Sequence, residues 1–478
     1  MIKNYFYNAL FQILRIVLPV ITMPYVARVL SADGVGAYSL SAAWANYFMI
    51  LGMIGIDSYG CREIAYVRAN KEEKRKIFWE INSLKSIAVL TSIIIYSVLI
   101  FAIIKPQNSI LYIIQLLNLL STFFDVSWYF AGIENFKSTA VRNIIIKIVT
   151  TIAIFAFVEN ESHVWVYTLI LCLGQLVGQL VLWKEIIHQL FPIYIPKLDV
   201  IFFHLKKTIL LWIPSLAASI YNYLDKVMLG TFTTDYQVGI YDYAQNIVKI
   251  PATLIFTIAT ITMPHAATDF KESNTEAAKT VFYKSMRIVT MLAFPMCLGL
   301  VAISDNFVSF FLGAEYTEVG TLMKISTWVV LPISWSQIVG SQLIIARSKE
   351  KFYSISICCG AVVNICLNLL LVKQYMSKGV LIASIVAEIV VLVVMLIFSR
   401  KDYSFVKAFK YVPKYFVLSI IMYVMIFVLT KFIGFDSVML TIIQILIGMT
   451  TFVFLLVLTR DKMLGEAMAL VKSRLLKK

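Results

Sequence analysis

Long apolar runs separated by short polar stretches recur along the whole chain of 478 residues. A helix of about 20 apolar residues matches the ~30 Å hydrocarbon thickness of a bilayer, so the pattern predicts about fourteen membrane-spanning helices. They cover, approximately, residues 8–30, 36–57, 81–104, 109–130, 139–158, 163–187, 207–230, 238–263, 280–303, 321–345, 352–372, 378–399, 412–433 and 437–459. The loops between them are too short to hold an extramembrane domain.

The composition supports this interpretation. Hydrophobic residues make up 60% of the chain and charged residues 14%, and the mean hydropathy is +0.84. Soluble domains contain roughly 45–50% apolar and about 25% charged residues. The composition therefore excludes a soluble enzyme, a disordered regulator and a disulfide-stapled secreted domain. We expect an all-α polytopic membrane protein.

The net charge of +15 comes from 42 Lys and Arg against 27 Asp and Glu. Most of the basic residues fall in loops and tails predicted to share one side of the membrane. The opposite loops hold only a few, namely Arg28, Lys105, Lys373, Lys378 and Lys431. Cytoplasmic loops carry such an excess of Lys and Arg, so both termini are predicted to be cytoplasmic. The basic charge therefore requires no nucleic-acid partner.

Cofactor and metal motifs are missing from the sequence. The six cysteines and four histidines show no paired metal-ligand spacing, so we predict no metal site and no cofactor. A GxxxxGK[ST] run for ATP is also absent. Any energy source is therefore an ion gradient or the gradient of the substrate itself.

A short motif recurs about half a chain apart. The matching residues are Asp33, Gly36 and Tyr38 in the first half and Asp235, Gly239 and Tyr241 in the second. Each copy follows the first predicted span of its half, and each half holds six spans. An even number of spans per half predicts a parallel repeat, a transporter feature that puts the binding site between the halves near the midplane.

The predicted organisation is two pseudo-symmetric six-helix lobes and two additional C-terminal helices. The ranges are 1–190 for the N-terminal lobe, 191–400 for the C-terminal lobe, 401–460 for the last two helices and 461–478 for an amphipathic cytoplasmic tail.

Charged residues inside spans are the candidate functional groups, because a charge at the bilayer centre costs about 2.5–3.5 kcal/mol even on lenient scales. Arg15, Lys249 and Glu388 lie deepest in their predicted spans. Arg offers phosphate oxygens a planar fork and Lys offers a point charge. We hypothesise that Arg15 and Lys249 hold the anionic linkage of a substrate that crosses between the lobes. A buried ion pair with a structural role is the alternative.

Three segments resemble a known family. They are MPYVARVLSADGVGAYSL (23–40), SWYFAGIENFKSTAVRNIIIKIV (127–149) and QLIIARSKEKFYSISICCGAVVNICLNLLLV with GVLIASIVAEIVV (within 342–391). Their order and spacing resemble the polysaccharide-export branch of the multidrug/oligosaccharidyl-lipid/polysaccharide exporter superfamily. The resemblance covers essentially the whole chain.

The resemblance implies a bacterial flippase for O-antigen or capsule repeat units, in the cytoplasmic membrane. It implies a 14-helix, two-lobed fold with a central cavity that moves an undecaprenyl-pyrophosphate-linked oligosaccharide from the inner to the outer leaflet by alternating access. The implied partners are this substrate, membrane lipids, a coupling ion (H⁺ or Na⁺) and polysaccharide polymerase machinery. By position, the basic cavity residues fall on Arg15, Arg28 and Lys249, with Glu388 a candidate for ion coupling. Candidate sugar or lumen contacts are Tyr221, Asn222, Tyr223, Asp225 and Lys226.

Three other functions stay open. A drug antiporter of the same superfamily predicts a cavity dominated by carboxylates, whereas deep basic residues are at least as prominent here. A lipid-linked peptidoglycan precursor flippase differs mainly in its cargo. A membrane polymerase or glycosyltransferase needs a large catalytic outer loop, and the longest predicted outer loop, 304–320, is too small for one. We therefore expect a transporter and no enzymatic activity.

Overall fold

The computed structural model describes residues 2–271, 275–431 and 437–465, with some positions of the long helices described by their backbone alone. These residues are helical, with no strand in the described ranges. By contacts the chain divides into two compact units, unit 1 (Met1–Gly239) and unit 2 (Ile240–Lys478). The lobe boundaries proposed above stay a prediction.

Within residues 2–239, unit 1 contains eight α-helices and the first turn of a ninth. They are α1 (Ile2–Met53), α2 (Ile56–Tyr66), α3 (Lys71–Ser97), α4 (Ser109–Phe123), α5 (Ser127–Gly132), α6 (Phe136–Phe157), α7 (Val164–Leu190), α8 (Leu198–Phe232) and the start of α9 (Asp235–Lys271). Over its described residues, unit 2 contains the rest of α9 and seven more α-helices. These are α10 (Thr275–Phe311), α11 (Thr317–Ser326), α12 (Val330–Val339), α13 (Glu350–Ser399), α14 (Phe405–Phe409), α15 (Val412–Thr430) and α16 (Ser437–Leu458).

The helical membrane fold expected from the sequence is confirmed. Eleven helical segments in the described residues are long and apolar enough to cross a bilayer. Two of them, Val17–Tyr66 and Glu350–Ser399, have 50 residues each and would be roughly 75 Å long if straight. Both are broken, at Ser31 (φ 57°) and at Met376 (φ 48°), where the sequence predicted loops 31–35 and 373–377. The count of fourteen spans stays a prediction.

The core of unit 1 is aromatic where α2, α3 and α5 meet. Phe78 stacks on Trp128 with ring centroids 5.4 Å apart, and both side chains are fully buried. Gly60 makes this packing possible, because a Cβ there would lie 2.5 Å from the Trp128 ring. The core where α2, α3 and α5 meet is therefore closely packed.

The repeated glycines meet at a close crossing within unit 1. A Cβ on Gly36 of α1 would lie 1.7 Å from the Asp235 carbonyl oxygen, and a Cβ on Gly239 would lie 2.0 Å from the Ala32 carbonyl oxygen. Only glycine lets two backbones approach this closely, as at small-residue helix contacts in membranes. The recurring motif thus encodes a contact between its own two copies.

An ionic cluster fixes the chain beyond α16 in unit 2. The buried carboxylate of Asp461 accepts hydrogen bonds from Arg287 of α10 (2.9 Å) and from Lys414 of α15 (2.5 Å). Tyr415 also donates to Asp461, at 3.1 Å. Burial acts to raise the pKa of Asp461, but the bonds from Lys414 and the Met463 amide, with the charges of Arg287 and Lys414, hold it below its usual range. Residues 466–478 of the predicted amphipathic tail lie outside the described residues.

Candidate functional site

The three predicted anion-binding cations lie on two helices. Arg15 and Arg28 belong to α1 in unit 1, and Lys249 belongs to α9 in unit 2. The side chain of Arg15 lies outside the described part of the chain. Those of Arg28 and Lys249 are exposed. The common role assigned to these residues stays a prediction.

The predicted sugar-contact residues share the C-terminal third of α8. The side chains of Tyr221 and Asn222 lie outside the described part. Tyr223 packs edge-on against Tyr47 of α1, with centroids 6.0 Å apart and an interplanar angle of 80°. Asp225 is buried and interacts electrostatically with Tyr47, and Lys226 is half-buried.

Trp44 of α1 extends this group, because its ring lies 6.4 Å from that of Tyr47 at 75°. Trp44 and Tyr47 were not predicted from the sequence. The sequence pattern that could have revealed them is a pair of aromatic residues three positions apart, which lie on one helical face. The same pattern also fits ordinary packing. The group brings aromatic surfaces together with the Asp225 carboxylate. Apolar walls with a few placed polar groups are typical of small-molecule sites.

Glu388, the predicted coupling residue, is buried in the second half of α13 in unit 2, with 9% of its surface exposed. Ser384 precedes it by one helical turn and accepts a hydrogen bond from Asn364 at 3.5 Å. Asn364 in turn accepts one from Asn368 at 3.1 Å. Glu388 therefore shares a helix face with neutral hydrogen-bonding groups. Its coupling role stays a prediction.

Lys85 of α3 is a buried cation that the sequence did not single out. Its side chain is fully buried and donates to the Asp125 carbonyl oxygen, where the backbone is broken between α4 and α5. The carboxylates of Asp125 and Asp57 attract it electrostatically. Lys85 lies one turn inside a predicted span, where a lysine commonly extends to the headgroups. Here it points into the protein.

Arg142 of α6 is a second buried cation near this break. It is 7% exposed and donates to the Ser127 hydroxyl at 3.3 Å, while the Ser127 amide donates to the Asp125 carboxylate at 2.8 Å. Lys85 and Arg142 thus both help to fix the segment between α4 and α5. A structural role accounts for these contacts.

Unit 2 contains an apolar cavity of about 420 Å³ between α9, α10, α15 and α16. Its walls are almost entirely hydrocarbon and thioether, including Met296, Leu300, Ile426 and Phe452. Gln444 supplies the polar side chain of the lining, and its carbonyl oxygen accepts a hydrogen bond from Asn306 at 3.3 Å. The cavity can accept a hydrocarbon chain without leaving buried polar groups unpaired.

No group of three or more His, Cys, Asp or Glu within the described ranges is arranged to hold a metal ion. The expected absence of a metal and of a cofactor stays a prediction.

Comparisons with known proteins agree with the fold. The family model described as "Polysaccharide biosynthesis protein" matches residues 1–267. The chain is 22% identical to a protein named as an O-antigen transporter from Shigella dysenteriae, over 79% of this chain and 94% of that protein. It is 20% identical to one of the same name from Escherichia coli (strain K12), over 84% of this chain and 97% of that protein.

Among solved structures, the chain is similar to the lipid II flippase MurJ in an inward closed conformation. The TM-score is 0.77 at 17% sequence identity, and the match covers 97% of this chain and 100% of that chain. At this identity the likeness concerns the fold alone. It extends over nearly all of the chain.

Proposed function

Because this chain belongs to the polysaccharide biosynthesis protein family, within the multidrug/oligosaccharidyl-lipid/polysaccharide exporter superfamily, we propose that it is a flippase for a lipid-linked oligosaccharide. The substrate is an undecaprenyl-pyrophosphate-linked repeat unit of a cell-surface polysaccharide. It moves from the cytoplasmic to the outer leaflet by alternating access. The protein forms and breaks no covalent bond in its cargo.

The apolar cavity of unit 2 is the observation that carries this proposal. Its hydrocarbon walls suit an isoprenoid chain better than a water-soluble cargo, and its volume of about 420 Å³ can hold a segment of such a chain. Lipid tails are as apolar as such walls, so the cavity gains no hydrophobic driving force over the bilayer. The cavity contributes a binding site of matching shape. A lipid chain bound between α10 and α16 keeps the headgroup near the protein while the sugar crosses.

The remaining roles follow from the chemistry of the candidate residues. Arg15, Arg28 and Lys249 hold the pyrophosphate, since guanidinium and ammonium groups are the usual partners of phosphate oxygens. Tyr221, Asn222, Tyr223, Asp225 and Lys226 contact the sugars. Glu388 binds the coupling ion, H⁺ or Na⁺. In the cell, the protein lies in the bacterial cytoplasmic membrane with both termini inside and passes its cargo to polymerase machinery.

A leaflet-accessibility assay in proteoliposomes tests the function. The purified protein should speed the crossing of an undecaprenyl-pyrophosphate-linked oligosaccharide at least tenfold over protein-free vesicles. Parallel vesicles with a peptidoglycan precursor, and an efflux assay with a cationic dye, test the competing cargoes. New glycosidic bonds without accelerated crossing would favour an enzyme and refute the flippase.

A cavity-filling variant tests the carrying observation. Gly299 of α10 lines the cavity, and a Cβ there would have only the Met422 methyl group within 4 Å, at 3.8 Å. Gly299→Leu should reduce crossing about tenfold while the protein stays folded. Gly465→Leu is the matched control, because a Cβ at Gly465 meets no atom within 4 Å. Equal crossing rates for the two variants would show that the cavity has no role in transport.

The cations are tested by Arg15→Gln with Lys249→Gln. The double variant should abolish crossing while its expression and membrane insertion are unchanged. Full activity of the double variant would show that these two residues do not bind the pyrophosphate. The flippase function would not be contradicted.

A further inference from the structure

Three ionisable side chains from separate helices meet inside unit 1. Tyr59 of α2 is 0% exposed, Glu80 of α3 is 6% exposed and His204 of α8 is 5% exposed. The Tyr59 oxygen lies 2.7 Å from His204 Nδ1, and His204 Nε2 lies 3.1 Å from Glu80 Oε2. The three side chains form one continuous hydrogen-bonded chain that joins α2, α3 and α8.

The burial of these groups is unexpected from the hydropathy pattern. All three fall just outside the predicted spans 36–57, 81–104 and 207–230, at their cytoplasmic ends, where water should reach them. In the structure, Ile201 and Leu205 of α8 pack against the aromatic core that contains Tyr59 and Phe78. That packing excludes water from the triad, so any proton it gains or loses changes the interior of the protein.

The hydrogen-bond chain permits two protonation states. With a neutral imidazole, Nε2–H donates to the Glu80 carboxylate and Nδ1 accepts from the Tyr59 hydroxyl, which satisfies all three groups. An added proton makes both ring nitrogens donors, so the Tyr59 hydroxyl rotates its own proton away and its oxygen accepts from Nδ1–H. The bond to the Glu80 carboxylate, whose acceptor is already ionised, then has an ionised donor as well and gains the attraction of an ion pair. Protonation therefore keeps the contact to α2 and strengthens the contact to α3.

Charged neighbours complete the surroundings. From α2, Arg62 lies over the Tyr59 ring at 5.5 Å and pairs with Glu63 at 3.2 Å. From α8 itself, Lys207 lies over the Phe203 ring at 4.1 Å. From α1, the Ile50 carbonyl accepts from Trp212 two turns further along α8. Glu80 is thus the carboxylate bonded to the imidazole, and Glu63, Arg62 and Glu80 are the charges that act on the phenol.

We propose that Tyr59, His204 and Glu80 form a proton-binding site that controls how firmly the start of α8 is held, so that acidification of the cytoplasmic side slows transport. Histidine is the side chain whose charge ordinarily changes between pH 5 and 8. The same helix carries Tyr223, Asp225 and Lys226 near its other end. A start of α8 that is held more tightly therefore restrains the helix that bears the candidate sugar contacts. This last step rests on the proposed function, whereas proton binding does not.

Hydrogen–deuterium exchange with mass spectrometry tests the proton site without any substrate. After correction for intrinsic rates, amides of residues 198–206 in the wild type should exchange at least threefold more slowly at pH 5.5 than at pH 7.5. His204→Gln should remove this difference. His188→Gln, at an exposed histidine of α7, is the matched control and should retain it. An exchange rate independent of pH, faster exchange in acid, or a pH response that survives His204→Gln would each overturn the proposal.

A second variant guards against misfolding of the first. Tyr59→Phe keeps the His204–Glu80 contact and removes only the hydroxyl that donates to the neutral ring. Because the His204–Glu80 contact is retained, amides of residues 198–206 should still exchange more slowly in acid. Loss of the pH response in a folded Tyr59→Phe protein would contradict the hydrogen-bond scheme.

Transport supplies the functional arm. In proteoliposomes that move lipid-linked oligosaccharide, acidifying the side facing the cytoplasmic ends from pH 7.5 to 5.5 should slow the wild type about threefold to tenfold. His204→Gln should be insensitive to the same change. Equal pH sensitivity in both proteins would refute the regulatory role. If no protein moves the substrate, the proposed function fails and the exchange experiment still decides the proton site.

Discussion

The two units bury different ionisable groups. Within the described residues, unit 1 buries the cations Lys85 and Arg142 together with Glu80, His204 and Asp225. Among the described residues of unit 2, the buried charged side chains are all carboxylates, namely Asp242, Glu388 and Asp461. The two cations that pair with Asp461, Arg287 and Lys414, keep 11% and 28% of their side chains exposed. The interior of unit 1 is thus cross-linked by charge, whereas that of unit 2 combines neutral amides with an apolar cavity.

This difference predicts which substitutions destabilise each unit most. A buried charge that loses its partner leaves an uncompensated ion in a low-dielectric medium, which is costly. Unit 1 should therefore respond most strongly to the removal of one interior charge. Unit 2 should respond less strongly, because the cations that pair with its buried Asp461 reach the surface.

The largest expected effect is that of Lys85→Met. This variant leaves the Asp125 carbonyl without its donor and removes the cation that faces the Asp125 and Asp57 carboxylates. We expect a loss of about 3–5 kcal/mol in the free energy of unfolding, the usual cost of breaking a buried pair. Titration with a denaturing detergent in mixed micelles measures it. Lys71→Met, at the exposed start of α3, is the control and should change little. If Lys85→Met lowered the free energy of unfolding by less than ~1 kcal/mol, a loss typical of an exposed pair, the two units would not differ in their dependence on buried charge.

Asp461→Asn should have the next largest effect, about 2–3 kcal/mol, because Arg287 and Lys414 lose their shared carboxylate but both reach the surface. The effect should depend on pH. The pKa of Asp461 is held below its usual range, so the folded protein binds fewer protons there than the unfolded chain. Its stabilisation is complete above the unfolded pKa of about 3.9 and is lost as the pH falls through the lower folded value. Unfolding measured between pH 3 and 6 should therefore converge for wild type and variant in acid.

Gly36→Ala should destabilise unit 1 by about 1–3 kcal/mol, the cost of overpacking a tight contact. The added methyl group would overlap the Asp235 carbonyl, and backbone cannot move aside as a flexible side chain can. Gly465→Ala, where nothing lies within 4 Å, should instead be neutral or slightly stabilising. The midpoints of thermal unfolding in detergent compare the two. Equal midpoints would mean that the crossing of α1 and α9 adapts without cost.

The smallest effect belongs to exposed ion pairs, for which the two units should not differ. Glu134→Gln breaks the 2.7 Å pair with Arg68 in unit 1, and Asp305→Asn breaks the 2.6 Å pair with Lys324 in unit 2. Both pairs are well exposed, so each loss should stay below ~1 kcal/mol. The same detergent titration measures both. A large effect in unit 1 alone would show that its dependence on charge extends to the surface.

The fold was more predictable from the sequence than the site was. Loops 31–35 and 373–377 were predicted where α1 and α13 are broken, because short polar stretches interrupt their apolar runs. The recurring glycines were recognised as a repeat, but their mutual contact was not, since a motif carries no information about what it packs against. Lys85 and His204 were passed over because each lies near the end of an apolar run, where a polar side chain needs no special explanation.

The amino-acid sequence by itself determined that this chain is a helical membrane protein of the polysaccharide exporter type. It could do so because each membrane helix satisfies its own backbone hydrogen bonds, so about twenty consecutive residues suffice to specify it. Only the tertiary structure decided which polar groups are buried together. Tyr59 and His204 are 145 positions apart, and their 2.7 Å contact depends on how α2 and α8 pack around a shared aromatic core. Such packing arises from many side chains at once, so no local stretch of sequence encodes it.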